Sequence, residues 1–437
     1  MRVLLLLAMF GLTGVYPQQT SLTGLLELHH SQPSNPNICQ QIGVAYIQLQ
    51  QLDKAESFFR EALRLNPQFW AARKNLATVL WFLDRKTESE REFQAVTKAV
   101  PADPVPHLYL GLAAHGRRDF EAAKLQFEKA GELASENPEV QPAVLESYVA
   151  TSDLEKARAV VEKLRAVHKD STEGWRMLAE AYDRQGRPED AYRAYSEAIE
   201  ADANSEEAYV ALAEFASAHG NSDYALQVVG RGLQRQPQSG ALVFEQGLLR
   251  ALSGDRQQAE NSFQQAGALK PDWALPLMAL GVSRLESGDA VRATAAFQRA
   301  RAIDPRDYRV HFLYATALSR DGQNSPENRA EAIRALRVAI RLNSKDTGSY
   351  VLLGQLDSEH AESDWKAALK IEPENAAALY QLGLLYQKQG NTVEAKQLLD
   401  KFRLAKAKMH GAEESLVQIL RVTHRPAAAS DSSTRAR

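Results

Sequence analysis

The segment PNICQQIGVAYIQLQQLDKAESFFREALRLNPQF, from Pro36 to Phe69, decides the fold. Ile38, Ile42, Ala45 and Tyr46 make one apolar stripe at helical spacing, and Ala55, Phe58, Phe59, Ala62, Leu63 and Leu65 make another after the polar turn Gln50 to Asp53. Two amphipathic helices in so short a block predict an antiparallel hairpin. Gly43 and Ala55 are small where the helices must approach, while Tyr46 and Phe59 are large enough to fill the gap between hairpins. Pro67 predicts the end of the second helix, since it lacks an N–H and disfavours helix at the residue before it. One such hairpin cannot cover its own apolar face, so a further copy must.

The copies follow at a period of 34 residues. Position 8 of the block is Gly43, Ala77, Gly111, Leu145, Ala179, Ala213, Gly247, Gly281 and Ala315 in turn; position 20 is Ala55, Ser89, Ala123, Ala157, Ala191, Ala225, Ala259 and Ala293. Position 24 is Phe59, Phe93, Phe127, Val161, Tyr195, Val229, Phe263 and Phe297. Prolines 67, 101, 237, 271 and 305 mark the ends of second helices in the same frame.

This spacing of small and large apolar residues resembles the tetratricopeptide repeat, a helix-turn-helix unit of 34 residues. The resemblance implies an all-α, TPR-type α-solenoid: a right-handed superhelix of about eleven antiparallel hairpins with half-repeat caps, stable only as an array. The expected organisation is a half-repeat over 21–35, eight regular repeats over 36–307, two irregular ones over 308–375, and a final repeat with a capping helix over 376–424. In the ninth block the turn is expected to expand to SRDGQNSPENRAEA, Ser319 to Ala332, which costs little closure entropy. The tenth block is five residues short between Gly354 and Trp365, which restores the frame and must shorten one or both of its helices. A polar tail over 425–437 is expected to be disordered.

At 437 residues, with 44% apolar and 24% charged residues and a net charge of -3, the chain has no general pull toward nucleic acid or anionic membrane. Cys39 is the only cysteine, so no internal disulfide can form. Met1 and Arg2 precede the apolar run Val3 to Val15, the shape of a secretory signal peptide within residues 1–20. The expectation is therefore export to a periplasm or cell exterior, with an uncleaved N-terminal anchor as the alternative.

No catalytic residue, cofactor site or metal site is expected. The histidines are scattered, without HExxH or a cysteine cluster, and neither GxxxxGK[ST] nor GxGxxG occurs. No GxSxG elbow is present, and Gly230 to Gly232 (GRG) falls inside a helix.

What remains is a surface. In the family resembled, positions 2, 5, 9, 12 and 13 of each first helix line a concave, ligand-facing groove. Carried over, these positions put Lys74, Trp81, Phe82, Leu108, Leu112 and His115 at an aromatic and apolar start. Glu139, Glu146, Glu173, Glu180, Asp183, Glu207 and Glu214 make an acidic middle, set against Arg176 and Arg184. Phe244, Leu248, Leu252, Leu275, Met278 and Val282 follow as a second apolar stretch. The implied ligand is a peptide or protein segment with apolar anchors and basic residues. The competing reading is that the apolar residues only touch neighbouring hairpins and the carboxylates are only a solvated face. Ladders of Asn, or of Lys with Asn, known in some members are absent: Lys74 and Asn75 stand as a single pair. The expected function is a non-catalytic interaction scaffold, with an accessory subunit of an envelope enzyme or assembly machine (polysaccharide, cytochrome or pilus biogenesis) as the alternative.

Overall fold

A computed structural model describes residues 21–167, 171–320 and 325–408, so the apolar start, the capping segment Glu413 to Thr423 and the tail lie outside the described residues. Among the described residues every regular element is a helix, and none is long and apolar enough to cross a membrane. Regular blocks pair a first helix of 13 residues with a second of 14, as in Pro36–Gln48 and Leu52–Leu65. The second helix ends at Leu65, just before Asn66 and Pro67, as the missing donor requires.

Chain contacts divide the molecule into two compact units, Met1–Ala203 and Asn204–Arg437. In the first, Leu22–Ser31 packs on Pro36–Gln48, and hairpins follow up to Thr172–Arg184 with Pro188–Ala201. In the second, six hairpins run from Glu206–Ala218 with Ser222–Arg235 to Ala376–Lys388 with Thr392–Lys408. In four hairpins the large residue packs inside its own hairpin and not in the gap between hairpins that the sequence suggests: a β-carbon on Gly43, Gly111, Gly247 or Gly281 would lie 2.6–2.7 Å from the ring of Phe59, Phe127, Phe263 or Phe297. The aromatic ring therefore rests on bare backbone. Leu145, the one large residue at position 8, faces a block whose position 24 is the smaller Val161, and both are buried.

Two features hold successive helices in place. The first is a left-handed residue at position 15, in the turn between the helices of a hairpin. Gln50, Asp84, Arg118 and Ser152 have φ near +60°, and Gly186, Gly220, Gly254, Gly288 and Gly390 take the same place with φ of +70° to +84°. The residue after each donates its N–H back to the first helix, as Gln51 does to Tyr46 O and Asp289 to Arg284 O, both at 2.9 Å. The second is a latch from position 4 of one block to the end of the block before. Arg73 Nη2 donates to Pro67 O at 3.0 Å, and Gln141 Nε2 to Ser135 O at 2.7 Å. His107 Nε2 meets Pro101 O and His311 Nε2 meets Pro305 O, each at 2.9 Å. Pro67, Pro101 and Pro305 lie in the turn just after a second helix and Ser135 at the end of Glu132–Ser135, and in each case the side chain from the next hairpin satisfies the carbonyl.

Three departures from the simple frame are present. The second helix of the third block breaks at Gly131, which has φ +57°, and a short helix Glu132–Ser135 follows. The next first helix, Gln141–Ala150, starts late, which leaves Pro142 in the first turn where no donor is needed. The turn expected from Ser319 to Ala332 is largely helical instead: Ser325 caps Asn328 N, Pro326 opens the helix, and Pro326–Leu342 reaches 17 residues. The sequence from Pro326 onward continues the apolar spacing and has a capping serine, so extending the helix satisfies more backbone than a loop would. In the tenth block both helices are short, Thr347–Leu356 at 10 residues and Ala361–Ile371 at 11.

Candidate partner-binding site

The first-helix face is built by neighbouring helices that bring fixed positions together. Position 12 of one block meets position 9 of the next in His115 and Glu146, whose Nε2 and Oε2 are 2.8 Å apart. Position 5 reaches the start of the following helix in Lys74, whose Nζ lies 2.6 Å from Asp103 Oδ2. Asp103 also accepts from Val105 N, so the same carboxylate caps a helix and holds the lysine.

Trp81 and Phe82 are half-buried and both pack edge-on against Tyr109 of the next block, at 5.3 and 6.5 Å between ring centres. Tyr109 also stacks on Phe93 at 4.9 Å, and burial pushes its phenol well above the usual range. Lys86 Nζ sits 5.6 Å from the Trp81 ring centre. This aromatic group is therefore largely engaged in joining two hairpins. Leu112 is half-buried beside it.

The carboxylates remain at the surface of the first unit. Glu139 and Glu173 are exposed, and Glu146, Glu180 and Asp183 are half-buried. Arg176 lies between two of them, bonding Glu173 Oε1 at 2.6 Å and also Glu180, so one guanidinium offsets two charges. Arg184 is exposed at the end of the same helix, Thr172–Arg184. Glu207, exposed, and Glu214, half-buried, belong to the second unit. The acidic middle expected from the sequence thus divides between two units, and the larger share lies in the first.

The second apolar stretch is corrected by its burial. Phe244 and Leu248 have no exposed surface, Met278 has 1%, Val282 2% and Leu275 7%. They join Phe263, Phe297 and Tyr314 in one core of the second unit. Leu108 at the start of the face is also fully buried. A groove position in this chain can turn inward because the neighbouring first helix covers it, and an apolar side chain then gains more from that contact than from solvent. Only Leu252, 42% exposed, remains outside among these.

Spacing along the chain gave no sign of one cluster. His29, Cys39 and Glu61 come from three helices and place one ligand atom each within 4.8 Å of one another. Cys39 is completely buried, and that burial, followed by the charge of Glu61, pushes its thiol above the usual range.

The repeat geometry now has a match among known families. Models described as tetratricopeptide repeat match residues 36–69, 172–215 and 377–404, and one described as TPR repeat matches 359–390. The chain therefore carries tetratricopeptide repeats over these residues. Its tetratricopeptide hairpins align over long stretches with solved structures of low identity. Yeast Tom70 is 14% identical, over 92% of this chain and 95% of Tom70, with a TM-score of 0.41. Cut9 in the APC/C Cut9–Hcn1 hetero-tetramer is 16% identical over 83% and 82%, also at 0.41. A human IFIT1 dimer with PPP-AAAA is 20% identical over 89% and 96%, at 0.38. No curated protein matches the sequence.

Proposed function

We propose that this tetratricopeptide chain is a non-catalytic scaffold whose first-helix face, in the unit Met1–Ala203, captures a basic segment of a protein partner. The observation that carries the reading is the run of surface carboxylates Glu146, Glu173, Glu180 and Asp183 on two consecutive first helices, with Glu139 in the turn just before the first of them. Against them stand His115, Arg176 and Arg184 on the same face. A net negative strip of this kind steers and selects a basic partner, while apolar contacts supply most of the affinity. Trp81, Phe82 and Leu112, half-buried on first helices of the same unit, offer apolar surface.

Export belongs to the same proposal. It rests on the residue pattern of Met1, Arg2 and the apolar run to Val15. Fractionation of the producing cell, with the mass of the mature chain, tests it; an unprocessed chain in the cytoplasm overturns it.

The partner reading is tested by reversing charge at Glu173, Glu180 and Asp183 together, all on one helix surface. Affinity capture with the wild-type chain should enrich a partner that the triple Lys variant loses, with the helical signal of the variant unchanged. Equal recovery by both chains would refute the proposed face.

A further inference from the structure

The first three described helices meet at a point that the binding face does not use. His29 stands in the last turn of Leu22–Ser31, Cys39 in the first turn of Pro36–Gln48, and Glu61 near the end of Leu52–Leu65. His29 Nδ1 is 3.7 Å from Cys39 Sγ, and its Nε2 is 3.8 Å from Glu61 Oε1. His29 and Glu61 keep 20% and 32% side-chain exposure, whereas Cys39 is closed off behind them. The cluster thus has a buried floor and an open side.

The donor set is mixed: one thiol, one imidazole and one carboxylate, each from a different helix. Atoms within 4.8 Å of one another always have a common point within about 2.8 Å of all three. Zinc sites place sulfur at about 2.3 Å and nitrogen or oxygen at about 2.0–2.2 Å. Closing that gap asks for less than about 1 Å of movement, and small rotations of the partly exposed His29 and Glu61 side chains can supply it. A hard cation such as magnesium or calcium would not select sulfur, whereas zinc accepts all three ligand types.

A catalytic thiol is the other chemistry that a cysteine, histidine and carboxylate could serve. It needs Sγ to reach a substrate, and here Sγ has no exposed surface. The geometry points to a divalent zinc-type site instead. We infer that His29, Cys39 and Glu61 bind one such ion, with the fourth coordination position open to solvent. On binding, the Cys39 thiol proton leaves to solvent, and the thiolate, one imidazole nitrogen and one carboxylate oxygen become the ligands. The ion would then fasten the half-repeat Leu22–Ser31 to the first full hairpin.

The test uses the full, untagged chain, stripped of metal and titrated with Zn²⁺ and, separately, with Co²⁺. One equivalent should bind, and Co²⁺ should give a thiolate-to-metal charge-transfer band in the near ultraviolet. Cys39→Ser should abolish that band. His29→Gln and Glu61→Gln, at partly exposed positions that leave the fold in place, should each weaken binding by more than about tenfold, the lower end of what loss of even an outer-shell partner causes. At one Zn²⁺ concentration the Tm of the wild-type chain should rise more than that of His29→Gln. Absence of the band in the wild-type chain, or equal affinity in His29→Gln and the wild type, would overturn the site.

Discussion

A β-carbon on Gly354 would lie 2.5 Å from Trp365 Nε1, although only eleven residues separate the two where regular repeats have sixteen. The tenth hairpin has lost five residues and kept its central contact. Trp365 Nε1 donates to Val351 O at 3.1 Å, inside the first helix, and the indole takes the place that phenylalanine has in other blocks. Shortening both helices thus preserved the packing that makes the hairpin. Gly354→Val should cost about 1–3 kcal/mol, because the indole has backbone on one side and cannot retreat. Gly230→Ala, where nothing lies within 4 Å of the added carbon, should be neutral or stabilising by up to about 1 kcal/mol. Urea denaturation of the two variants checks this, and an equal loss from both would contradict the packing role of position 8.

The left-handed turn residues offer an opposite-sign test. Gln50 and Ser152 are exposed and hold φ of +59° and +63°, where a β-carbon is unfavourable and glycine is not. Gln50→Gly and Ser152→Gly should each stabilise the array by about 0.5–1 kcal/mol. Gly288→Val, at φ +84°, should destabilise it by about 1–2 kcal/mol. Thermal melts that move all three in one direction would dismiss position 15 as a strained turn.

The latch predicts which substitutions are interchangeable. His311 bonds Pro305 O through Nε2, and its Nδ1 has no hydrogen-bond partner among the described residues. Gln141 makes the equivalent bond with an amide. His311→Gln should therefore change stability by less than about 1 kcal/mol, while His311→Leu, which orphans the carbonyl, should cost about 1–3 kcal/mol. Comparing denaturation midpoints of the two variants decides the point.

Asp346 caps the short helix Thr347–Leu356 by accepting from the N–H and hydroxyl of Ser349. Burial nevertheless raises its carboxyl above the ordinary 3.8, more than these bonds lower it. A carboxyl that is harder to ionise in the folded chain weakens the fold once ionised. The penalty is absent below the unfolded value and complete above the folded one. Asp346→Asn keeps a capping oxygen without the charge, so its stability relative to wild type should improve as pH rises from 3.5 to 7, by up to about 1 kcal/mol. Melts across that range that show a constant difference would refute the buried charge.

Arg176 sits against Glu173 and Glu180 on the proposed face. Removing it as Arg176→Ala should tighten binding of a basic peptide several-fold at low salt, because two carboxylates lose their internal partner. The gain should fade above about 0.15 M salt, where the screening length falls to about 8 Å. Fluorescence anisotropy with a lysine-rich peptide at two salt concentrations is the measurement; weaker binding of the variant would mean that the arginine itself is a contact.

Much of this architecture was legible in residue order. A repeat writes its small and large positions into its period, so Gly43 and Phe59 could be singled out and Pro67 placed after a helix end without coordinates, whereas the contact of Gly43 with Phe59 inside one hairpin came from the structure. The glycines at 186, 220, 254, 288 and 390 carried a further periodic signal, the left-handed turn, which polar, exposed Gln50 and Ser152 hide in other blocks. Burial was less legible. Phe244, Leu248 and Met278 occupy face positions, yet a neighbouring helix covers them, and coverage depends on how closely two hairpins pack. The extended helix Pro326–Leu342 was hidden because a polar stretch with glycine and proline reads equally as a loop or as a cap followed by helix.

The sequence alone determined the period, the helical hairpin, which of its positions are small and which large, and the tetratricopeptide resemblance, because each is a local pattern repeated until coincidence fails. Only the tertiary structure decided which face positions reach solvent, that the carboxylates fall mainly in the first unit, and that His29, Cys39 and Glu61 converge. Those are properties of side chains brought together by different helices, and the distance between them is set by packing rather than by their separation along the chain.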